Sequence, residues 1–539
     1  MANYLKNFTK QKATPQTQPI PGTNQVRNSN FGYSWEASVW DRLKRFLVLG
    51  TEGGSFYASE QTLTAENANN VLQCIAEDGV RVVRETVAIS EAGRAPKNDP
   101  AIFVLALVAA HGSVEARRAA FDALPKVCRT GTHLFQFAEY VQTFRGWGRA
   151  LRRGVASWYE SHEPRSLAYQ VVKYRQREGW THTDTLRLSH PVPADETRGA
   201  IYKWVTKREE ATWARDLTPP ASDPLAFIWA FERVQTAEDV DTVLKLIADY
   251  DLPREALPTQ WLNEAAVWEA LLARMPMTAM IRNLGVMAKV GLLTPMSAAE
   301  QTVVDRLGNA DLLRKARIHP IAVLSALRVY ARGHGVRGSG QWQPTSRITD
   351  ALNDAFYLAF GAVEPANKRM LLALDVSGSM SGGEVAGVPG LTPRDASAAM
   401  ALVTAKTEPK YGMVAFAHQM EPLNISPKMR LDDAVKAVSN LPFGGTDCAL
   451  PMLYAMEKNL DVDAFVIYTD SETWFGKIHP AQALWQYREK TGIPARLIVV
   501  AMVANRFTIA DPNDPGMLDC IGFDSATPQI INDFARGEI

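Results

Sequence analysis

The stretch Met370-Leu-Leu-Ala-Leu-Asp-Val-Ser-Gly-Ser379 constrains the fold more than any other. A short apolar run stops at a carboxylate, and serines follow at alternate positions. An unbroken apolar run of this length reads as a strand covered on both faces, as in a parallel sheet. Parallel strands need crossover connections, so helices and strands should alternate around it. The pattern predicts strands over 370–376, 411–417, 464–470 and 495–502. It predicts helices over 394–406, 431–440, 449–458, 480–490 and 528–534. That alternation defines a doubly wound α/β domain over 366–539.

Asp375, Ser377 and Ser379 make a D-x-S-x-S string just past the first strand end. Gly444-Gly-Thr-Asp447 adds the Thr446 hydroxyl in a loop, and Asp470 follows the 464–470 run. Ligands of open parallel sheets collect at the carboxyl ends of the strands. Hydroxyl and carboxylate oxygens suit a hard divalent cation such as Mg²⁺, which prefers octahedral oxygen and retains several waters. The pattern resembles the metal-ion-dependent adhesion site of von Willebrand factor A domains. The resemblance implies direct or water-mediated ligation by Asp375, Ser377, Ser379, Thr446 and Asp470.

Upstream the texture differs. From about 35 to 365, apolar residues recur at three- and four-residue intervals, as over 67–76, 101–111, 114–124, 166–178, 263–275 and 320–332. Breaks carry Gly, Pro or Asn/Asp, as at Asn98-Asp-Pro100 and Thr218-Pro-Pro220. Many short amphipathic helices without a long strand read as an α-solenoid of stacked helix pairs over 31–365. Residues 1–30 are polar and rich in Gln, Asn, Thr and Pro, and read as a flexible arm.

Composition excludes several classes. With 58 basic and 58 acidic residues the net charge is zero, so nucleic-acid binding could rest only on a local patch. The four cysteines, at 74, 128, 448 and 520, have neither C-x-x-C nor zinc spacing and suit a reducing compartment. No run reaches the length that spans a bilayer, and the first 30 residues lack a signal-peptide apolar core. The expectation is a cytoplasmic monomer with no membrane contact. No Walker A string, G-x-G-x-x-G or nucleophile–base pairing competes for an enzymatic role.

A local patch exists. Arg145 to His190 holds nine Arg/Lys against four Asp/Glu, interleaved with Trp147, Trp158, Tyr159, Tyr169, Tyr174 and Trp180. On a helix over 166–178, Lys173 and Arg177 would share one face, with Arg175 opposite. His182, Arg187 and His190 follow. Such a surface can neutralise phosphates and offer rings to unpaired bases. The blander reading is that these arginines are solvated and the tryptophans are core. Arg314, Arg317 and His319 form a shorter cluster of the same kind.

Taken together, the chain is similar to the Ro ribonucleoprotein autoantigen family, the TROVE-domain proteins. The resemblance rests on Arg45-Phe-Leu-Val-Leu-Gly-Thr-Glu-Gly-Gly54, Thr132-His-Leu-Phe135, Trp147-Gly-Arg-Ala-Leu-Arg152, Lys173-Tyr-Arg-Gln-Arg-Glu-Gly-Trp180 and Leu186-Arg-Leu-Ser-His190. It continues through Met277-Thr-Ala-Met-Ile-Arg-Asn-Leu-Gly285, Lys315-Ala-Arg-Ile-His-Pro320, Gly444-Gly-Thr-Asp447 and Phe507-Thr-Ile-Ala-Asp511. It implies HEAT-like repeats closed into a ring whose ends an A domain helps to clasp. It implies that single-stranded 3′ ends of misfolded noncoding RNAs enter the central hole, while Y RNA binds outside. Family residues that affect Y RNA binding carry over to Lys173, Arg177 and His190, with Arg175 where the family has lysine. Arg314, Arg317 and His319 are candidates for the hole. Implied partners are an exoribonuclease such as polynucleotide phosphorylase in bacteria, or the La protein in animals.

The readings that follow are an RNA-binding scaffold for RNA quality control and, as the alternative, an Mg²⁺-dependent protein-interaction module without a direct RNA role; the two are also compatible, one per domain. A metal-dependent nuclease is the weakest, because the oxygen site has no evident general base.

Overall fold

The computed structural model describes residues 13–216, 219–335, 340–421, 423, 425–442 and 444–539. Helices fill the first two thirds, from Val39–Leu49 to Ser346–Leu358. Their starts are fixed by side-chain caps. Ser59, Ser113, Thr130, Asp239, Ser297 and Thr345 each accept a hydrogen bond from a backbone N–H of the first turn. The long helix Glu60–Ala92 breaks at Asp78 (φ −155°, ψ 86°) and ends on Gly93 in the left-handed conformation (φ 68°). Asp99–His111 is apolar on nearly every side and is buried between Glu60–Ala92 and Gly131–Arg145.

The helical array returns on itself. His319, at the start of Pro320–Arg332, donates from Nε2 to the carbonyl of Arg94 at 3.0 Å, although 225 residues separate them. A side chain at Gly93 would meet Arg317 at 3.0 Å. The turn after Glu60–Ala92 and the start of Pro320–Arg332 are thus neighbours, which is the closure expected of a ring.

The second unit is a six-stranded sheet in the order Met517–Ile521, Arg496–Ala501, Ala464–Thr469, Met370–Asp375, Tyr411–Phe416, Met420–Glu421. The first five run parallel and the last is antiparallel. Alternate side chains serve two cores. Leu372, Leu374, Val466, Ile498 and Val500 join the same core as the helical array. Leu371, Ala373, Ile467, Leu497 and Val499 build a second core on the opposite face.

The N-terminal segment departs from expectation. Residues 1–12 lie outside the described residues, but 13–36 are a strap across the sheet domain and not a flexible arm. Ile20 and Trp35 belong to the second core. Gln16 donates its backbone N–H to Gly476 O at 2.9 Å, and its side chain donates to Asp447 at 2.8 Å. Tyr33–Glu36 pairs antiparallel with Phe507–Thr508. Polar composition misled because glutamine and asparagine here satisfy buried carbonyls and carboxylates instead of water.

Candidate metal centre and nucleic-acid interface

Four of the five expected oxygen ligands, Asp375, Ser377, Ser379 and Asp470, lie close to one another. Asp375 ends its strand fully buried; one carboxylate oxygen accepts the Ser377 backbone N–H at 2.9 Å and the other accepts the Thr469 hydroxyl at 2.6 Å. The Ser377 and Ser379 hydroxyls lie 3.2 Å apart. Asp470 follows the adjacent parallel strand, is 4% exposed, and accepts the Glu472 N–H at 3.0 Å. Thr446 is held in place through its carbonyl, which accepts from the backbones of Trp474 and Phe475, each at 3.0 Å.

The electrostatics fit a cation. Burial, and then the neighbouring Asp470, push the Asp375 carboxyl up to about 7. Burial raises Asp470 as well, and raises Glu472 to about 8 with help from Asp470. Among the described residues none of these carboxylates has a Lys or Arg ion-pair partner. Buried anions without a counter-charge are costly, and a divalent ion would remove that cost. Among the described residues no group of three or more His, Cys, Asp or Glu is placed to hold a metal. The oxygens that do lie together come from carboxylates and serine hydroxyls, chemistry that suits a hard cation better than zinc.

Sequence reasoning missed what surrounds this site. Ser29 donates to Glu472 from its backbone N–H at 2.8 Å and its hydroxyl at 3.1 Å. The Asn30 side chain donates to the Tyr57 hydroxyl, and that hydroxyl also meets the Ser379 side chain. These residues are more than 300 positions from the motif, and no local pattern marks them.

The cationic segment is built differently from the expected continuous helix over 166–178. Pro164–Lys173 is helical, and the backbone turns at Tyr174 (φ −110°, ψ 60°). Gln176–Arg177 then pairs with Trp180–Thr181 across a two-residue turn. Glu178 and Gly179 both have positive φ (49° and 79°), the pattern of a tight hairpin turn. Trp180 drives this, because it stacks on Trp147 with centroids 5.3 Å apart and reaches Glu139 with its indole N–H. Lys173 and Arg177 therefore do not share a helix face. Lys173 lies at the helix end, with Nζ donating to the Tyr169 hydroxyl at 2.7 Å and resting over the Tyr174 ring.

Lys173, Arg175 and Glu255 line a cleft of about 590 Å³. Arg175 is exposed and reaches the Phe231 ring. Arg177 is half-exposed beside Glu178, at 2.8 Å. A capping box of Thr181 and Asp184 starts the helix His182–Ser189. That helix carries exposed Arg187, which donates to Thr206 O at 3.0 Å, and it ends on exposed His190 in the left-handed conformation (φ 47°).

His182 is a correction. It is buried, its Nδ1 lies 2.7 Å from the Tyr159 hydroxyl, and it packs edge-on against Phe135. Burial pushes it down to about 3, so it is a neutral core histidine and cannot touch a surface ligand. Trp158 and Tyr159 are likewise core. His319 is buried in the array closure, whereas Arg314 and Arg317 are exposed beside a cavity of about 760 Å³.

These features define a class: a closed helical-repeat domain joined to a von Willebrand factor A-type sheet domain. Residues 26–329 match the TROVE domain family, and residues 369–535 match the Ro60 vWA domain. The RNA-binding protein RO60 of Deinococcus radiodurans is 46% identical over 528 residues, covering 97% of this chain and 98% of that protein. The RNA-binding protein RO60 of Caenorhabditis elegans is 36% identical over 599 residues, covering 98% and 92%. The crystal structure of the Deinococcus radiodurans RO (RSR) protein superposes with a TM-score of 0.69 at 46% identity, covering 93% of this chain and all of that one. The chain belongs to the Ro60 family of RNA-binding proteins.

Proposed function

We propose that this protein is the RNA-holding scaffold of a small ribonucleoprotein. Structured Y RNA lies on the outer surface along 173–190, and single-stranded 3′ ends of misfolded noncoding RNAs enter the closed helical ring. The observation that carries the outer site is the exposure of Arg175, Arg177, Arg187 and His190, with half-buried Lys173 beside them, on one short helix–hairpin–helix segment of a chain with no net charge. Phosphate contacts placed by rigid elements recognise RNA shape without a base code. A closed array accepts a chain end and rejects a duplex or a circle, which selects defective transcripts. The role is RNA quality control or decay, with an exoribonuclease such as polynucleotide phosphorylase, or the La protein, as partner. Four buried free cysteines suit a reducing cytoplasm. No described helix is long and apolar enough to cross a membrane.

The sheet domain takes Mg²⁺ at Asp375, Ser377, Ser379, Thr446 and Asp470. The bound ion would supply compensating positive charge and a fixed point for oxygen ligands. A second reading is that this site works alone as an Mg²⁺-dependent protein-interaction module, favoured by its buried uncompensated carboxylates.

Binding of a hairpin RNA with a free single-stranded 3′ tail, compared with the same sequence circularised, tests the ring assignment. Tighter binding of the tailed linear form is expected. Equal affinity refutes entry by a free end.

A further inference from the structure

The oxygen site faces the helical domain. Two segments outside the sheet domain close over it, the 51–59 loop and the N-terminal strap. The loop after the first array helix runs against the loop that follows the D-x-S-x-S string: Ser55 and Gly383 form an isolated antiparallel bridge. Phe56 lies so close to Gly382 that a side chain there would meet it at 2.8 Å. Gly53 approaches Glu384 equally closely. Next in that loop, Tyr57 brings its hydroxyl to the Ser379 side chain and accepts from Asn30 Nδ2. Asn30 comes from the N-terminal strap, whose neighbour Ser29 is bonded to Glu472.

We propose that Tyr57, steadied by Asn30, occupies in cis the open face of the oxygen site, so that a bound cation fastens the helical domain onto the sheet domain. This rests on the Mg²⁺ reading above. A phenol oxygen can join a shell of hard oxygen ligands that already holds two carboxylates. Its position also means that an acidic side chain from a partner could reach the cation only after the 51–59 loop moves away. The site acts as an internal clasp first and as an adhesion surface only when opened.

Other features carry less. The cavity of about 550 Å³ between Arg282, Trp342 and Val388 has an apolar wall and a cationic rim, but nothing shows what fills it.

The test is hydrogen exchange by mass spectrometry on the full chain, with Mg²⁺ or with EDTA, beside calorimetric titration of Mg²⁺. In the wild type, Mg²⁺ is expected to slow exchange in peptides covering 51–59 by about fivefold or more, roughly what one hydrogen bond contributes. Tyr57→Phe is expected to lose that protection while still binding Mg²⁺. Asp375→Ala is expected to lose both. If the wild type binds no Mg²⁺, the cation reading fails and the clasp with it. If Mg²⁺ binds but 51–59 exchanges at the same rate with and without it, or Tyr57→Phe is protected as well as the wild type, only the clasp is overturned.

Discussion

Arg94 and Asp524 form a forked ion pair across the domain boundary, with Arg94 Nε at 2.9 and 3.0 Å from the two carboxylate oxygens and its terminal nitrogen at 2.5 Å. Asp524 is 1% exposed. The carbonyl of the same Arg94 accepts from His319 at the far end of the helical array. One residue therefore ties the first helices, the last helices and the sheet domain together.

Asp524→Ala leaves the Arg94 guanidinium without its partner. Breaking a buried pair costs about 3–5 kcal/mol, and the lower end applies because Arg94 keeps some access to water. Chemical denaturation of the full chain should show a lower midpoint and earlier proteolytic cleavage in the 90–98 segment. An unchanged midpoint would mean that the pair is dispensable.

Acidification should loosen the array. Burial holds His319 down to about 4 and His182 down to about 3, whereas an unfolded histidine titrates near 6.5. At these two sites the unfolded state binds more protons below pH 6.5, so their contribution to stability falls as pH drops from 6.5 toward 4, opposite in sign to that of the raised Asp375 and Glu472 carboxyls. Each group removes about 1.4 kcal/mol per pH unit in that window. His319→Asn, which can still cap Pro320–Arg332, should flatten the profile measured by thermal unfolding; an identical slope would refute the assignment.

Lys173→Ala/Arg177→Ala should weaken Y RNA binding similarly across stem sequences. It should also reduce the slope of log affinity against log salt by about 0.7–0.9 for each phosphate that the protein no longer neutralises. His182→Ala should instead lower thermal stability, because its ring fills the space against Phe135 and Tyr159. Filter binding across a salt series separates the two, and unchanged salt dependence in the double variant would remove 173–177 from the interface.

Saturating Mg²⁺ should raise the unfolding temperature of the wild type. At a hundredfold excess over the dissociation constant the gain is about 2.7 kcal/mol. Asp375→Ala should show no such gain. Equal Mg²⁺ responses from the two proteins in calorimetry would place the ion elsewhere.

The sheet domain was readable because its strands are apolar on both faces and its ligands follow strand ends. Predicted strands over 370–376, 411–417, 464–470 and 495–502 match Met370–Asp375, Tyr411–Phe416, Ala464–Thr469 and Arg496–Ala501. Met517–Ile521 went unrecognised because Asp519 interrupts its apolar pattern; that carboxylate is held by Arg45 and Thr508. The cationic segment was legible in its residues but not in its shape. Helical periodicity continued past Lys173, and the burial of Trp180 decided for a hairpin. His182 looked like a surface group because sequence cannot show that Tyr159, Phe135 and Trp158 surround it. Tyr57 and Asn30 at the oxygen site were illegible for the same reason, since only the closed tertiary fold brings them there.

The strap over 13–36 bears on how the molecule is made. Trp35 sits in a core whose other walls are Phe465, Leu497 and Tyr487, and its strand pairs with Phe507–Thr508. The strap leaves the ribosome long before the segments it packs against and must wait for them before it has anywhere to go. A fragment beginning at residue 366 would emerge with that hydrophobic wall bare, so the two halves are separable as patterns but not as independently finished bodies.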